Sequence, residues 1–257
     1  MGGLPRSGTT LIRHLMDQAG QVSTFLETGF FLQPLWLLQD RVIRRPAKLA
    51  EALGLDAALV TATIKQGSGL IDTFDALVDA SARQRGFTGR GWLDKTPRNC
   101  EVFHRLAREE SNLVFVSIVR NGLDVVTSRM PGHRTKAADY WCSIQRYVDT
   151  IGHITSFEDE RHLVIRYEDA VRDPGAVVTA IHRHAGLDID DADMTFQPLE
   201  PEQPEAVRTP KLAQGISDVW VDRWRLPEHV DRVTEFLSNP AARHALMISG
   251  YDVPDLA

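Results

Sequence analysis

Cysteine is scarce here: Cys100 and Cys142 are the only two among 257 residues. Two isolated thiols make no disulfide framework, and neither has metal-ligating neighbours in sequence. They read as reduced thiols of a cytoplasmic protein. No apolar run approaches the roughly 20 residues that a membrane span needs. An excess of positive charge is also missing, the formal net charge being -6. Nucleic acid or an anionic membrane would therefore meet no general attraction, and any bound anion must meet a local cluster of cations. His182 and His184 flank Arg183 on one helix and face different sides, so no metal site is expected. There is no internal repeat and no low-complexity tail.

What is present suits one large α/β domain over residues 1–257. Leu113-Val114-Phe115-Val116-Ser117-Ile118-Val119 is almost wholly apolar, as central parallel strands are. Val22 to Phe25, Trp92 to Asp94, and Leu163 to Ile165 or Tyr167 read as further strands. Leu11, Ile12, Leu15, Met16 and Ala19 share one face of a helix from Thr9, which Gly20 stops. Thr96 and Pro97 have the N-cap and N1 pattern of a helix start, and Asp173-Pro174 opens another helix that Gly186 ends. A final helix is expected after Pro227, while Asp188 to Asp193 and Pro198 to Pro210 read as loop.

Strands alternating with helices imply a central parallel sheet with helices on both faces, a three-layer arrangement. From Phe31 to about Arg90 no clear strand signal interrupts a helical block: Leu35 to Leu38, Ala47 to Leu59, and Leu70 to Ala82. Pro46, Gly54 and Gly67-Ser68-Gly69 break it. That block is expected to be a helical insertion over the sheet.

Gly3-Leu4-Pro5-Arg6-Ser7-Gly8-Thr9-Thr10 has the glycine spacing of a nucleotide phosphate loop. Such a loop turns backbone N–H groups inward and aims a helix N-terminus at an anion. Only Met1 and Gly2 precede it, so no signal peptide is read. The strand that normally leads into such a loop is expected to be missing or cut to a stub, which leaves open a truncated chain and its effect on activity. Where a nucleoside-triphosphate loop carries Lys, this one carries Thr9, and its only cation is Arg6. The best apolar strand runs into Arg120 rather than a magnesium-binding Asp. The loop therefore suits a group of lower charge than a triphosphate.

Leu4-Pro5-Arg6-Ser7-Gly8-Thr9-Thr10 resembles the 5′-phosphosulfate loop of sulfotransferases that use 3′-phosphoadenylyl sulfate (PAPS), especially the bacterial and tyrosylprotein-type branch. Ile118-Val119-Arg120-Asn121-Gly122, continuing to Ser128-Arg129, is similar to that family's 3′-phosphate motif. Val164-Ile165-Arg166-Tyr167-Glu168-Asp169 and Asp94-Lys95-Thr96-Pro97-Arg98-Asn99 complete a set running from Gly3 to about Pro174. The resemblance implies a P-loop-type fold and direct, metal-free transfer of a sulfuryl group from PAPS to an acceptor hydroxyl or amine, with 3′,5′-adenosine bisphosphate as product.

Arg6, Ser7, Gly8, Thr9 and Thr10 would then hold the 5′ end. Arg120, at a strand end where open α/β sheets place ligands, and Ser128 would hold the 3′-phosphate. A plain ion pair between Arg120 and Asp124 is the blander reading. Glu27 is the candidate base, with His133 as rival. Arg6 and Lys95 would stabilise charge on the sulfuryl and leaving oxygen, unless Lys95 merely pairs with Asp94. Arg98 is expected to face solvent, with added charge near the transferred group as the alternative. Ser217 could reach the nucleotide, and Trp220 and Trp224, four apart, read as a helix packing on the core, with adenine contact as the alternative. Tyr167 and Glu168 read as architectural, Glu168 pairing with a loop arginine. A divergent nucleotide kinase or NTPase, or a non-catalytic nucleotide-binding protein of the same fold, are the other readings. No motif names the acceptor.

Overall fold

The computed structural model describes residues 1–25, 27–33, 46–128, 140–187, 196–197 and 215–255. The central strand β4 (Phe115–Val119) is buried along its whole length. Its side chains alternate between two cores: Phe115 and Val119 join one apolar cluster, Val116 and Ile118 the other. A strand buried on both faces can afford no polar register slip, which explains why its composition is so apolar. Strand β1 (Gly2–Gly3) lies parallel on one side of β4 and β5 (His162–Arg166) parallel on the other. The expected lead-in strand is thus a two-residue stub.

β2 (Val22–Phe25) and β3 (Gly91–Asp94) pair in parallel as a separate two-stranded ladder. The sequence suggested one continuous sheet. The stub β1 is too short to build a ladder onto β3, and one hydrogen bond, from the Met1 nitrogen to the Asp94 carbonyl at 2.9 Å, spans the seam.

Helix α1 (Thr9–Ala19) packs Leu11, Ile12, Leu15 and Met16 into the second cluster, together with Val177, Val178 and Ile181. Tyr147 and Ile151 fill the opposite cluster beside Phe103, Phe236 and Leu246. Helices therefore cover both faces, and each fully buried side chain of this size contributes about 1.5–3 kcal/mol.

The helical block is α2 (Pro46–Leu53), α3 (Ala57–Gln66) and α4 (Leu70–Arg85). The break expected at Gly54 is present: Gly54 takes a left-handed turn (φ 67°), and Asp56 starts α3 by accepting the N–H groups of Ala58 and Leu59. The block rests on an aromatic cluster in which Phe30 and Phe31 meet Phe74, and Phe31 stacks on Trp92 with ring centroids 5.8 Å apart. The expected segment Leu35 to Leu38 lies outside the described residues.

After β3, residues Pro97–Val102 form a 3-10 turn leading into α5 (Phe103–Glu109). Thr96 sits at the cap position, but its hydroxyl accepts from Gly29 N–H at 3.1 Å rather than from its own helix. Helices α6 (Gly122–Val126), α7 (Ile144–Thr155), α8 (Tyr167–Arg172) and α9 (Pro174–His184) follow. Three 3-10 turns then precede α10 (Val230–Leu237) and α11 (Pro240–Ile248), so two helices stand where one was expected. No helix among the described residues is long and apolar enough to cross a membrane.

Candidate active site

The opening loop is shaped by two close approaches. Gly8 caps α1 with φ 94°, and a Cβ there would overlap the Tyr167 ring. Gly3 is pressed against the Ile118 carbonyl in the same way. Ser7 is fully buried, and both its N–H and its hydroxyl are bound to the Leu4 carbonyl. Ser7 therefore braces the loop and lines neither cavity described below. Arg6 adopts a positive φ of 74°, uncommon for a residue with a Cβ. That turn carries its guanidinium to the Ser128 hydroxyl, with Nε donating at 2.9 Å, and to within 5.9 Å of the Trp141 ring centre. Burial, and after it the nearby charge of Arg120, holds the Arg6 pKa below the ordinary arginine value.

Arg120 leaves the end of β4 and is 7% exposed. Nη1 donates to the Arg6 carbonyl at 3.1 Å and Nη2 donates to the Trp220 carbonyl. The guanidinium carbon lies over Tyr167, 4.2 Å from its ring centre. The pair with Asp124 exists but is loose, at 3.7 Å. Asp124 is occupied elsewhere: it accepts the N–H groups of Asp222 and Trp224 at 2.9 and 3.0 Å. Burial raises the Asp124 pKa, and Arg120 and those two N–H groups partly offset the rise. The Nε of Arg120 is buried without a partner. An arginine with an idle donor at a strand end is poised to receive an anion.

A cavity of about 640 Å³, its open mouth included, is lined by Arg6, Gly8, Thr9, Thr10, Arg120 and Tyr167. Gly215, Ile216, Ser217 and Trp220 close its other side. Ser217 thus reaches the cavity, although its hydroxyl also accepts Val219 N–H at 3.2 Å. Trp220 and Trp224 belong to two 3-10 turns rather than one helix. Trp220 lines the cavity, while Trp224 packs on the core. Ser128 does not line it and is joined to it only by accepting from Arg6.

A second, wider cleft of about 1650 Å³, again with its mouth, lies on the other side of the loop under the helical block. Glu27, Lys95 and Trp141 line it. Arg6, Thr9 and Thr10 line both spaces and form the wall between them. The side chain of Lys95 is 4% exposed; Nζ donates to Glu27 Oε1 at 3.0 Å and to Thr10 Oγ1 at 3.5 Å. It does not pair with Asp94. The Glu27 side chain is 55% exposed toward the cleft. Arg98 lines the cleft from an exposed position and is held by both carboxylate oxygens of Glu101 at 2.7 Å.

The sequence profile described as "Sulfotransferase family" matches residues 1–191, about three-quarters of the chain. The chain belongs to the sulfotransferase family. Two solved structures share its fold. One is the sulfotransferase domain from the Synechococcus PCC 7002 olefin synthase, at 19% identity and a TM-score of 0.61, covering 98% of this chain and 94% of that one. The other is the sulfotransferase domain from the curacin biosynthetic pathway, at 17% identity and a TM-score of 0.62, covering 99% of each chain. No curated protein sequence matches this sulfotransferase.

Several contacts of the sulfotransferase differ from the sequence reading. Among the described residues Glu168 pairs with no loop arginine: it accepts Asn121 N–H at 3.2 Å and the Tyr251 hydroxyl at 2.6 Å. Asp124, considered only as a partner for Arg120, instead pins the 218–225 segment beside it. The Asp94 carboxylate, 1% exposed, accepts from Thr28 at 2.8 Å and Asn99 at 2.7 Å, locking together the strand ends that carry Glu27 and Lys95. His133 and Arg129 lie outside the described residues.

Proposed function

We propose that this sulfotransferase uses PAPS, and that residues 1–257 work as one domain with the donor in the smaller cavity and the acceptor in the wider cleft. The observation that carries this reading is the shared wall. Arg6, Thr9 and Thr10 face both spaces, so a group bound at that wall can be passed from one side to the other. Arg120 fits a phosphomonoester at the far end of the smaller cavity, since its Nε is buried and idle. The N-terminus of α1, opened by Gly8, fits the 5′-phosphosulfate. Tyr167 and Trp220 offer flat surfaces for the nucleoside.

PAPS supplies an activated sulfuryl: the acceptor oxygen or nitrogen bonds to sulfur, the bond from sulfur to the bridging phosphate oxygen breaks, and the acceptor proton leaves to a base. Glu27 is that base, exposed to the cleft and held by Lys95. Lys95 and Arg6 stabilise the charge that develops on the sulfuryl oxygens and the leaving oxygen. Both are desolvated, where such interactions are stronger than in water. Thr9 and Thr10 add the helix end. The buried, free thiols Cys100 and Cys142 accord with a cytoplasmic setting.

Titration calorimetry tests the donor before any acceptor is known. 3′,5′-Adenosine bisphosphate should bind without magnesium, and ATP with magnesium should bind far more weakly. Equal or tighter binding of magnesium–ATP would overturn the reading in favour of a nucleotide kinase.

A further inference from the structure

The wide cleft is more basic than the donor needs. Five basic side chains line it, Arg6, Lys48, Lys95, Arg98 and Arg146, against two acidic ones, Glu27 and Glu51. This surplus occurs in a chain whose formal net charge is -6. Three of the five are engaged: Arg6 with Ser128 at the donor wall, Lys95 with Glu27, and Arg98 with Glu101. The side chains of Lys48 on α2 and Arg146 on α7 make no hydrogen bond or ion pair with the described residues, Arg146 donating only its backbone N–H to Ser143. They come from different elements and line the cleft but not the nucleotide cavity. Glu51 lies on the same helix as Lys48, three residues on, and forms no ion pair with it. Trp141 lines the same cleft, 42% exposed, with its ring beside Arg6.

Resting on the proposed transfer reaction, we infer that the acceptor is a hydroxyl compound bearing a carboxylate, with an apolar body. The carboxylate is held by Lys48 and Arg146, the body lies on Trp141, and the hydroxyl reaches Glu27. The two cations set specificity and take no part in the chemistry. Because they are exposed, their attraction is partly screened, so a carboxylate gains about tenfold in affinity over its neutral amide. The gain shrinks as salt rises.

The test uses the protein saturated with 3′,5′-adenosine bisphosphate, titrated calorimetrically with 3-(4-hydroxyphenyl)propionate and with its primary amide. The carboxylate should bind about tenfold more tightly than the amide. In Lys48→Gln/Arg146→Gln the two probes should bind equally, with the bisphosphate affinity unchanged. Sulfuryl transfer from PAPS should follow the same order through KM, with kcat little altered. Equal binding of the two probes to the unmodified protein would overturn the inference. So would a preference that survives the double substitution, or a carboxylate that fails to bind while the bisphosphate binds. Failure of the bisphosphate itself would instead sink the donor reading; the probe comparison on the free protein then decides the acceptor question separately.

Discussion

Removing the Arg120 guanidinium should abolish discrimination for the 3′-phosphate without abolishing nucleotide binding. In the free protein Arg120 gives one N–H to the Arg6 carbonyl and one to the Trp220 carbonyl, and its Nε is idle. Of five N–H donors, enough remain to meet two phosphate oxygens. Each charge-assisted hydrogen bond contributes about 1.5–3 kcal/mol net, so a bidentate grip amounts to about 3–6 kcal/mol, or roughly 100- to 10000-fold in Kd. Arg120→Ala also loosens the loop and the 218–225 segment, which weakens every nucleotide. A cycle separates the two effects. Kd values for 3′,5′-adenosine bisphosphate and for adenosine 5′-monophosphate are measured calorimetrically on both proteins. The bisphosphate preference should fall from at least about 100-fold to a few-fold. Arg120→Lys should give an intermediate value, because the charge survives and the fork does not. If the preference is the same in Arg120→Ala as in the unmodified protein, the 3′-phosphate lies elsewhere and the orientation of the donor is wrong.

Lys95→Ala should lower kcat about 100-fold or more while leaving bisphosphate affinity within a few-fold, as initial rates and calorimetry would show, because its ammonium acts on charge that appears only during transfer. Gly8→Ala places a Cβ against Tyr167 at φ 94° and should destabilise by about 2 kcal/mol, a drop in Tm of roughly 4–8 °C by calorimetry, with loss of bisphosphate binding. Burial pushes the thiols of both Cys100 and Cys142 up to about 11, so at pH 8 only about one in a thousand is ionised. Iodoacetamide should label neither in the native protein and both in urea, as mass spectrometry would show.

The elements that depend on local pattern were legible in the sequence. The apolar run ending at Val119, the helix opening at Thr9, and the stop at Gly20 all stand where periodicity and capping place them. Asp173 caps α9 by accepting Ala176 N–H, as Asp173-Pro174 implied. The break at Gly54 was legible as well, but not the Asp56 side chain that caps the helix after it. Contacts between distant segments were legible only as candidates. Arg6 and Ser128 were each flagged for a phosphate, yet their mutual bond spans 122 residues and follows from the loop's positive-φ turn. Trp220 reads like a core tryptophan in sequence because four-residue spacing is helical. Its true place follows from Asp124 accepting two backbone N–H groups and so folding the segment into 3-10 turns. Lys48 and Arg146 carry no motif at all. Only the packing of α2 and α7 around one cleft gives them a shared meaning.

The register of the smaller ladder explains how the proposed base and a cation can be held together without a rigid loop. Phe25 pairs with Asp94, so Glu27 and Lys95 leave neighbouring strand ends side by side. Asp94 then ties its own strand to the other through Thr28 and to the following turn through Asn99. No side-chain cation neutralises that buried carboxylate by an ion pair among the described residues, so its hydroxyl and amide donors must satisfy it. A lysine in place of those donors would neutralise Asp94 but would also draw Lys95 and Glu27 into a different charge pattern. With neutral donors around Asp94, Lys95 has Glu27 as its ion-pair partner in the lining of the cleft. The arrangement leaves Arg6, Lys95 and Arg120 desolvated and incompletely compensated, which is unfavourable for folding and favourable for an anion that arrives later. Donor binding should thus stabilise this fold by more than the contacts to the nucleoside alone would suggest, because it neutralises charges that the free protein holds in place at its own expense.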